Sequence, residues 1–232
     1  MPRGDHELVE HYYERLEKNN TFHCKERNDA EACHKLADFF ETKKRRLVEA
    51  YDQYMENCFK RDYGDSCFKA GQMAFHGTGR EKNVEEATKA HKKGCEVNNF
   101  NGGCCDTIGM QYLKDTLEPE IKNVLSKPNP KKAVELFKKG CEKDGFACLH
   151  AAQIYRDGLD IARVKHDPEL MFKYAFRACE FRYKSGCKMV ADAYKTGTGT
   201  QQDDKLYAQY QNMYELMSGQ SNIKMTKKNK KR

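Results

Sequence analysis

The sequence predicts an all-α chain, an α/α solenoid of about five helix-pair repeats, each stapled by a disulfide. Three observations carry this. Cysteines recur at nearly constant spacing, other positions keep register with them at helical offsets, and cap and proline signals fall where that register requires helices to start.

Of the 11 cysteines, ten form pairs: Cys24 with Cys33, Cys58 with Cys67, Cys95 with Cys105, Cys141 with Cys148, and Cys179 with Cys187. The first members lie 34, 37, 46 and 38 residues apart, a period typical of helix-pair repeats. The longest interval holds Pro119, Pro128 and Pro130 and reads as an inserted loop.

The register extends beyond the cysteines. Leu16, Ala50, Ala87, Ala133 and Met171 lie eight residues before each first cysteine. Ala37, Gly71, Gly109, Ala152 and Ala191 lie four after each second cysteine, and Phe40, Ala74, Tyr112, Tyr155 and Tyr194 lie seven after. Offsets of four, seven and eight mark one face of a helix. A small residue at plus four lets two helices approach, and a larger one at plus seven fills the next turn. The same register separates the adjacent cysteines. Counting from Cys105 reaches Gly109 and Tyr112, whereas counting from Cys104 reaches Ile108 and Gln111. Cys105 is therefore the partner of Cys95, and Cys104 is a free thiol.

Helix starts are marked as well. Asn83 with Glu86 three residues on resembles a capping box. Asn129-Pro130 and Asp167-Pro168 each place a cap residue before a proline in the first helical position. Gly64, Gly102, Gly103, Gly145 and Gly186 fall between paired cysteines, where they suit helix ends and tight turns. Each first cysteine closes a helix and each second one opens the next, so a short antiparallel hairpin brings the two within bridging distance.

Composition agrees with an elongated fold. Hydrophobic residues make up 38% and charged residues 33%, with no Trp. That is polar for a globular core, yet too apolar and aromatic for disorder. The net charge is +7, but six positive charges fall between Lys224 and Arg232, leaving a body of +1. A basic groove for nucleic acid is thus not expected. The N-terminus lacks the apolar stretch of a secretory signal and is acidic where a mitochondrial presequence is basic. No apolar run is long enough for a membrane span. The absence of Cys-x2-Cys argues against a zinc site, and no metal ligand or catalytic residue is assigned. The expected organisation is a capping helix over 1–23, a repeat solenoid over 24–217 and a basic disordered tail over 218–232.

The unit Cys67-Phe-Lys-Ala-Gly71, His76-Gly-Thr-Gly79 and Glu86-Ala87-Thr-Lys-Ala90-His-Lys-Lys-Gly94-Cys95 resembles the Sel-one-like repeat, a relative of the tetratricopeptide repeat. Cys187-Lys-Met-Val-Ala191-Asp-Ala-Tyr194-Lys-Thr-Gly197-Thr-Gly199 repeats its first half. The resemblance spans residues 24–217. The first unit departs from it, because its inter-helix loop, around Glu41 to Leu47, lacks Gly-x-Gly. Within that superfamily the cysteine layout and length resemble the mitochondrial cytochrome c oxidase assembly factor seven family. The resemblance implies residence in the mitochondrial intermembrane space and oxidative folding there. It also implies a non-enzymatic scaffold role in assembling respiratory complexes, cytochrome c oxidase and also complex I.

The expected partners are proteins: respiratory-chain subunits or assembly factors, and an import oxidoreductase during folding. The chain is expected to be a monomer, with no nucleic-acid partner. Tyr112, Tyr155 and Tyr194 read as inter-helix core rather than as the lining of a binding face. Two alternative functions from other classes are weighed. Thiol-redox chemistry would use Cys104, but its neighbour Asp106 would raise a thiol pKa and there is no Cys-x-x-Cys. Haem binding would draw on His34, His76, His91 or His150 and a methionine, but the covalent attachment motif is missing. No cofactor is expected, with haem as the alternative.

Overall fold

In the computed structural model residues 3–219 are described, and the basic segment from 220 onward lies outside them. The described residues form twelve α-helices and no strand, with one isolated bridge between Leu159 and Val164. The helices group into two compact units, Met1–Lys143 and Asp144–Arg232.

The first unit holds α1 (Arg3–Lys25), α2 (Ala30–Phe39), α3 (Leu47–Arg61), α4 (Gly64–His76), α5 (Val84–Glu96), α6 (Gly102–Leu113), α7 (Pro119–Leu125) and α8 (Pro130–Gly140). From α1 to α6 each helix packs on the next, and α6 then packs on α8. The second unit holds α9 (Gly145–Asp157), α10 (Pro168–Glu180), α11 (Lys184–Thr196) and α12 (Asp204–Met217), again packed in chain order. Neighbour-to-neighbour packing of helix pairs is the repeat architecture.

The helix starts follow the cap chemistry. Asn83, Asn129 and Asp167 accept from the backbone N–H three residues on, and Asp29, Asn101, Asp144 and Asp203 cap in the same way. The second cysteine is always the fourth residue of its helix. The N–H groups of Cys33, Cys67, Cys105, Cys148 and Cys187 donate to the carbonyl of the residue before the helix, closing its first turn.

The register positions form the core. Ala50, Ala87, Ala133 and Met171 are buried, as are Ala37, Ala152, Ala191, Phe40, Ala74, Tyr112 and Tyr155. Tyr194 is half-buried and stacks on Tyr210 with ring centroids 5.7 Å apart.

Three local features differ from the sequence expectation. The stretch read as an inserted loop contains α7. Its proline sits where a missing N–H does no harm, and Ile121 and Leu125, one turn apart, are buried. α7 packs on α5, where Asn123 donates to Glu85 at 2.9 Å. Second, the glycines between paired cysteines begin helices rather than turn the chain. Gly64, Gly102 and Gly145 are first residues, while the left-handed turns fall on Asn28, Asp62 and Arg182. Gly64 is needed for close approach, since an added methyl would lie 2.7 Å from the backbone nitrogen of Asn101. Third, the loop lacking Gly-x-Gly is replaced by a π-helical continuation of α2 over Phe40–Lys44, ended by Arg45 at φ 56°. The corresponding loop after α4 uses Gly77 and Gly79, with φ of 73° and 80°.

Candidate functional site: the cysteine ladder and the helix seams around it

The disulfides sit at the hairpins. Cys24–Cys33, Cys58–Cys67, Cys95–Cys105 and Cys179–Cys187 are bonded, with Cα atoms 4.5, 4.6, 4.7 and 4.5 Å apart. Cys141 and Cys148 are also in disulfide form. Each bond ties the last turn of one helix to the first turn of the next.

Cys104 is free and fully buried. It fills space made by a glycine: a methyl added at Gly94 would lie 2.5 Å from the Cys104 sulphur and 2.6 Å from the Cys67 Cβ. Burial, with the charge of Asp65 behind it, pushes the thiol pKa well up. Such a thiol is a packing group. It has neither the exposure nor the thiolate character of a reactive cysteine.

The seams show a pairing that the sequence reading did not include. In α5 and α8 the position four residues before the first cysteine lies over the helix that carries the small residue of the repeat before it, α4 and α6. A methyl at Gly71 would come within 3.0 Å of the His91 ring, and one at Gly109 would lie 2.7 Å from the Phe137 ring. In the second unit both positions are small, and Ala152 and Ala175 share one core cluster. At these two seams a ring faces a glycine, while in the second unit a small residue stands at both positions. The signal was present as paired residue sizes, but the residues at this position, Asn20, Tyr54, His91, Phe137 and Ala175, share no chemistry that periodicity could detect.

Tyr54, at the same position in α3, anchors a polar network. Its buried hydroxyl donates to Asp38 and lies 3.0 Å from Glu41, which also accepts from Lys69 at 3.0 Å. Burial, reinforced by these carboxylates, raises the phenol pKa far above its ordinary value. Nearby, Asn57 donates to Ser66 at 2.7 Å and to the Ala30 carbonyl at 2.8 Å, and His34 Nδ1 lies 2.9 Å from the Ser66 hydroxyl. Ser66, His34 and Asp38 resemble a hydrolytic triad by residue type. The geometry differs, because Ser66 is fully buried and the His34–Asp38 separation is 3.7 Å. A nucleophile needs room for substrate and a base held by a hydrogen bond, and the buried Ser66 with His34 instead forms part of the polar packing between α2, α3 and α4.

His91 is also a core group. Its Nε2 has no hydrogen-bond partner, and burial lowers its pKa to about 4 against the opposing pull of the Phe68 carbonyl. Burial likewise lowers His34, against the charge of Asp38. Neither imidazole lines the groove between α1, α2 and α3, which has Leu36 and Phe40 among its lining with Glu17, Glu49 and Glu56 around them. Arg46 lies 4.4 Å over the Phe40 ring and pairs with Glu17 and Glu49. Apolar side chains also reach the surface: Leu8 and Phe22 on α1, Phe59 on α3, Phe75 on α4 and Phe146 on α9 are exposed. In the first unit the groove and its exposed apolar side chains, and in the second unit Phe146, each offer contacts suited to another protein. Among the described residues no helix is long and apolar enough to cross a membrane.

The Sel1 repeat family model matches residues 64–95, 125–145, 145–180 and 185–210. The chain contains Sel1 repeats. The matched segments contain Cys67, Cys95 and Gly71, and they cover α4 with α5 and then α8 into α12, leaving α6 unmatched. Among solved structures, a Sel1 repeat protein from Oxalobacter formigenes aligns with a TM-score of 0.61 at 19% identity, over 85% of this chain and 76% of that one. Curated relatives that align beyond the repeats are named cytochrome c oxidase assembly factor 7. The Danio rerio protein is 26% identical over 229 residues, 96% of this chain and 95% of its own. The Xenopus tropicalis protein is 24% identical over 200 residues, 86% of this chain and 84% of its own.

Proposed function

We propose that this Sel1-repeat chain is an assembly factor for mitochondrial respiratory-chain complexes, with cytochrome c oxidase as its first client and complex I as a second. It acts by binding protein, without catalysis. The observation that carries this reading is the match over 96% of the chain to a relative named as a cytochrome c oxidase assembly factor. The physical features support it. Stacked helix pairs present exposed aromatic side chains from several helices, and the hydroxyl of the triad-like Ser66 is buried away from any substrate.

The reading includes a place and a redox state. In the native protein the five cysteine pairs are disulfides and Cys104 is reduced. Disulfides on this scale require an oxidising compartment, and the intermembrane space supplies one within the organelle that houses respiratory complexes. Import in the reduced form, followed by oxidation by an import oxidoreductase, would trap the folded chain there. Once folded, the protein is a monomer without bound haem.

The test uses cells lacking the protein. Native electrophoresis of their mitochondria should show reduced cytochrome c oxidase holoenzyme, restored by the wild-type chain. Unchanged oxidase levels would overturn the client. Protease treatment of intact and outer-membrane-ruptured mitochondria tests the compartment, since protein still protected after rupture would exclude the intermembrane space.

A further inference from the structure

We propose that the Cys179–Cys187 pair, once reduced, joins the thioethers of Met213 and Met217 to form a binding site for Cu(I). The inference rests on a cluster of four sulphur-bearing side chains in the second unit and is independent of the assembly-factor reading. The Met213 sulphur lies 3.6 Å from both cysteine sulphurs, and the Met217 sulphur lies 3.9 Å from that of Cys187. Met213 and Met217 are one turn apart on α12, so one face of that helix delivers both. The disulfide meanwhile ties the end of α10 to the start of α11.

Three properties select the ligand. First, the donors are two thiols and two thioethers, a soft set that favours Cu(I) over hard oxygen-seeking ions. Second, the spacing fits. A metal–sulphur bond of about 2.3 Å places the three ligands of a trigonal site about 4 Å apart, close to the methionine–cysteine separations already present. The two cysteine sulphurs, bonded to each other in the disulfide, move apart when that bond is reduced. Methionine has three rotatable side-chain bonds and can adjust the remainder. Third, the site is reachable yet sheltered. Met213 is 37% exposed, while Cys179 and Cys187 are buried beside Val190, Ala175 and the half-buried Tyr210 and Tyr214. The cover over the pair is α12, which has no buried residue of its own.

The chemistry balances in two steps. A dithiol reductant attacks one sulphur of the Cys179–Cys187 bond, and its second thiolate resolves the mixed disulfide. Two electrons pass to the protein pair, and the reductant leaves as its own disulfide. Cu(I) then displaces one proton from each thiol to solvent. It accepts lone pairs from both thiolates and from the thioethers, with no change in its oxidation state.

The experiment uses the full chain, reduced without oxygen by a phosphine, desalted and titrated against the Cu(I)–bicinchoninate complex. The comparison is M213L/M217L, in which leucine keeps the packing and removes the thioethers. Because the other cysteine pairs are unchanged in both proteins, the difference between them isolates this site. Wild type should hold one more tightly bound Cu(I), with the variant about tenfold or more weaker at that site. X-ray absorption should show copper surrounded by sulphur. Equal stoichiometry and affinity in a folded M213L/M217L would overturn the proposal and leave the methionines as packing. If circular dichroism shows that full reduction unfolds the chain, the titration is repeated at a reductant concentration that opens Cys179–Cys187 alone, identified by alkylation and peptide mass. No uptake by that species would equally overturn it.

Discussion

At the scale of the residue, the informative contacts are those in which one side chain occupies space that a glycine leaves open. His91 over Gly71 and Phe137 over Gly109 are pairs of this kind. Adding one methyl to such a seam forces the ring off its rotamer and should destabilise by about 1–3 kcal/mol. Gly109→Ala should show this in urea unfolding, and Gly109→Ala with Phe137→Leu should recover part of the loss. A double-variant loss equal to the sum of the Gly109→Ala and Phe137→Leu losses measured singly would mean that the two residues are not coupled. His91 gives a separate pH signature. Its folded pKa of about 4 lies below the unfolded value near 6.5, so the unfolded chain binds more protons between them. The contribution is fully present above pH 6.5 and is lost as pH falls toward 4, by about 3 kcal/mol. His91→Phe should flatten that part of the stability profile relative to wild type, whose carboxylates titrate alike in both proteins. Identical slopes would place the titration elsewhere. The small halves of these pairs, Gly71 and Gly109, were legible in the sequence through the cysteine register. Their ring partners were not, because Tyr54, His91, Phe137 and Ala175 share a position without sharing size, polarity or charge.

At the scale of the element, helix starts were more legible than connections. A cap needs one side chain at one position, so Asn83, Asn129 and Asp167 could be found from local sequence. Connections depend on what the chain meets on the way. α7 sits among three prolines, which read as loop, while its apolar content amounts to Ile121 and Leu125 on one turn, too short to establish a period. The π-helical turn after α2 is a similar case, since nothing local distinguishes Phe40–Lys44 from a frayed helix end. If α7 is a docked helix, Ile121→Asp with Leu125→Asp should release it from α5. The loss should be about 3 kcal/mol, the burial of two aliphatic side chains. Amide exchange over residues 119–125 should rise to that of an open loop, with the rest of α5 protected. A loop without packing would show a change within about 0.5 kcal/mol. Exchange unchanged in this segment would restore the loop reading.

At the scale of the whole molecule, the repeat was legible because the cysteines mark it independently of hydrophobic periodicity, and the Sel1 matches fall on α4 with α5 and on the helices from α8 into α12. What each staple contributes depends on where it sits in the row. A hairpin loop of this length contributes about 2–3 kcal/mol on the chain-entropy model, whichever pair is chosen. Its consequences should nevertheless differ by position. Cys24–Cys33 joins α1, which packs on α2 at the start of the row, whereas Cys58–Cys67 joins α3 and α4, which have neighbours on both sides. In a row where each helix pair depends on those next to it, weakness at the end stays local and weakness inside spreads. Cys24→Ser with Cys33→Ser should therefore raise amide exchange over Arg3–Lys25 and leave α4 through α6 protected. Cys58→Ser with Cys67→Ser should raise exchange on both flanks, from α2 to α5, at a similar loss in global stability. The measurement is hydrogen exchange by mass spectrometry on the two oxidised double variants beside wild type. Uniform deprotection of the first unit in both would show that its helices unfold as one cooperative block, and nearest-neighbour propagation along the row would be wrong.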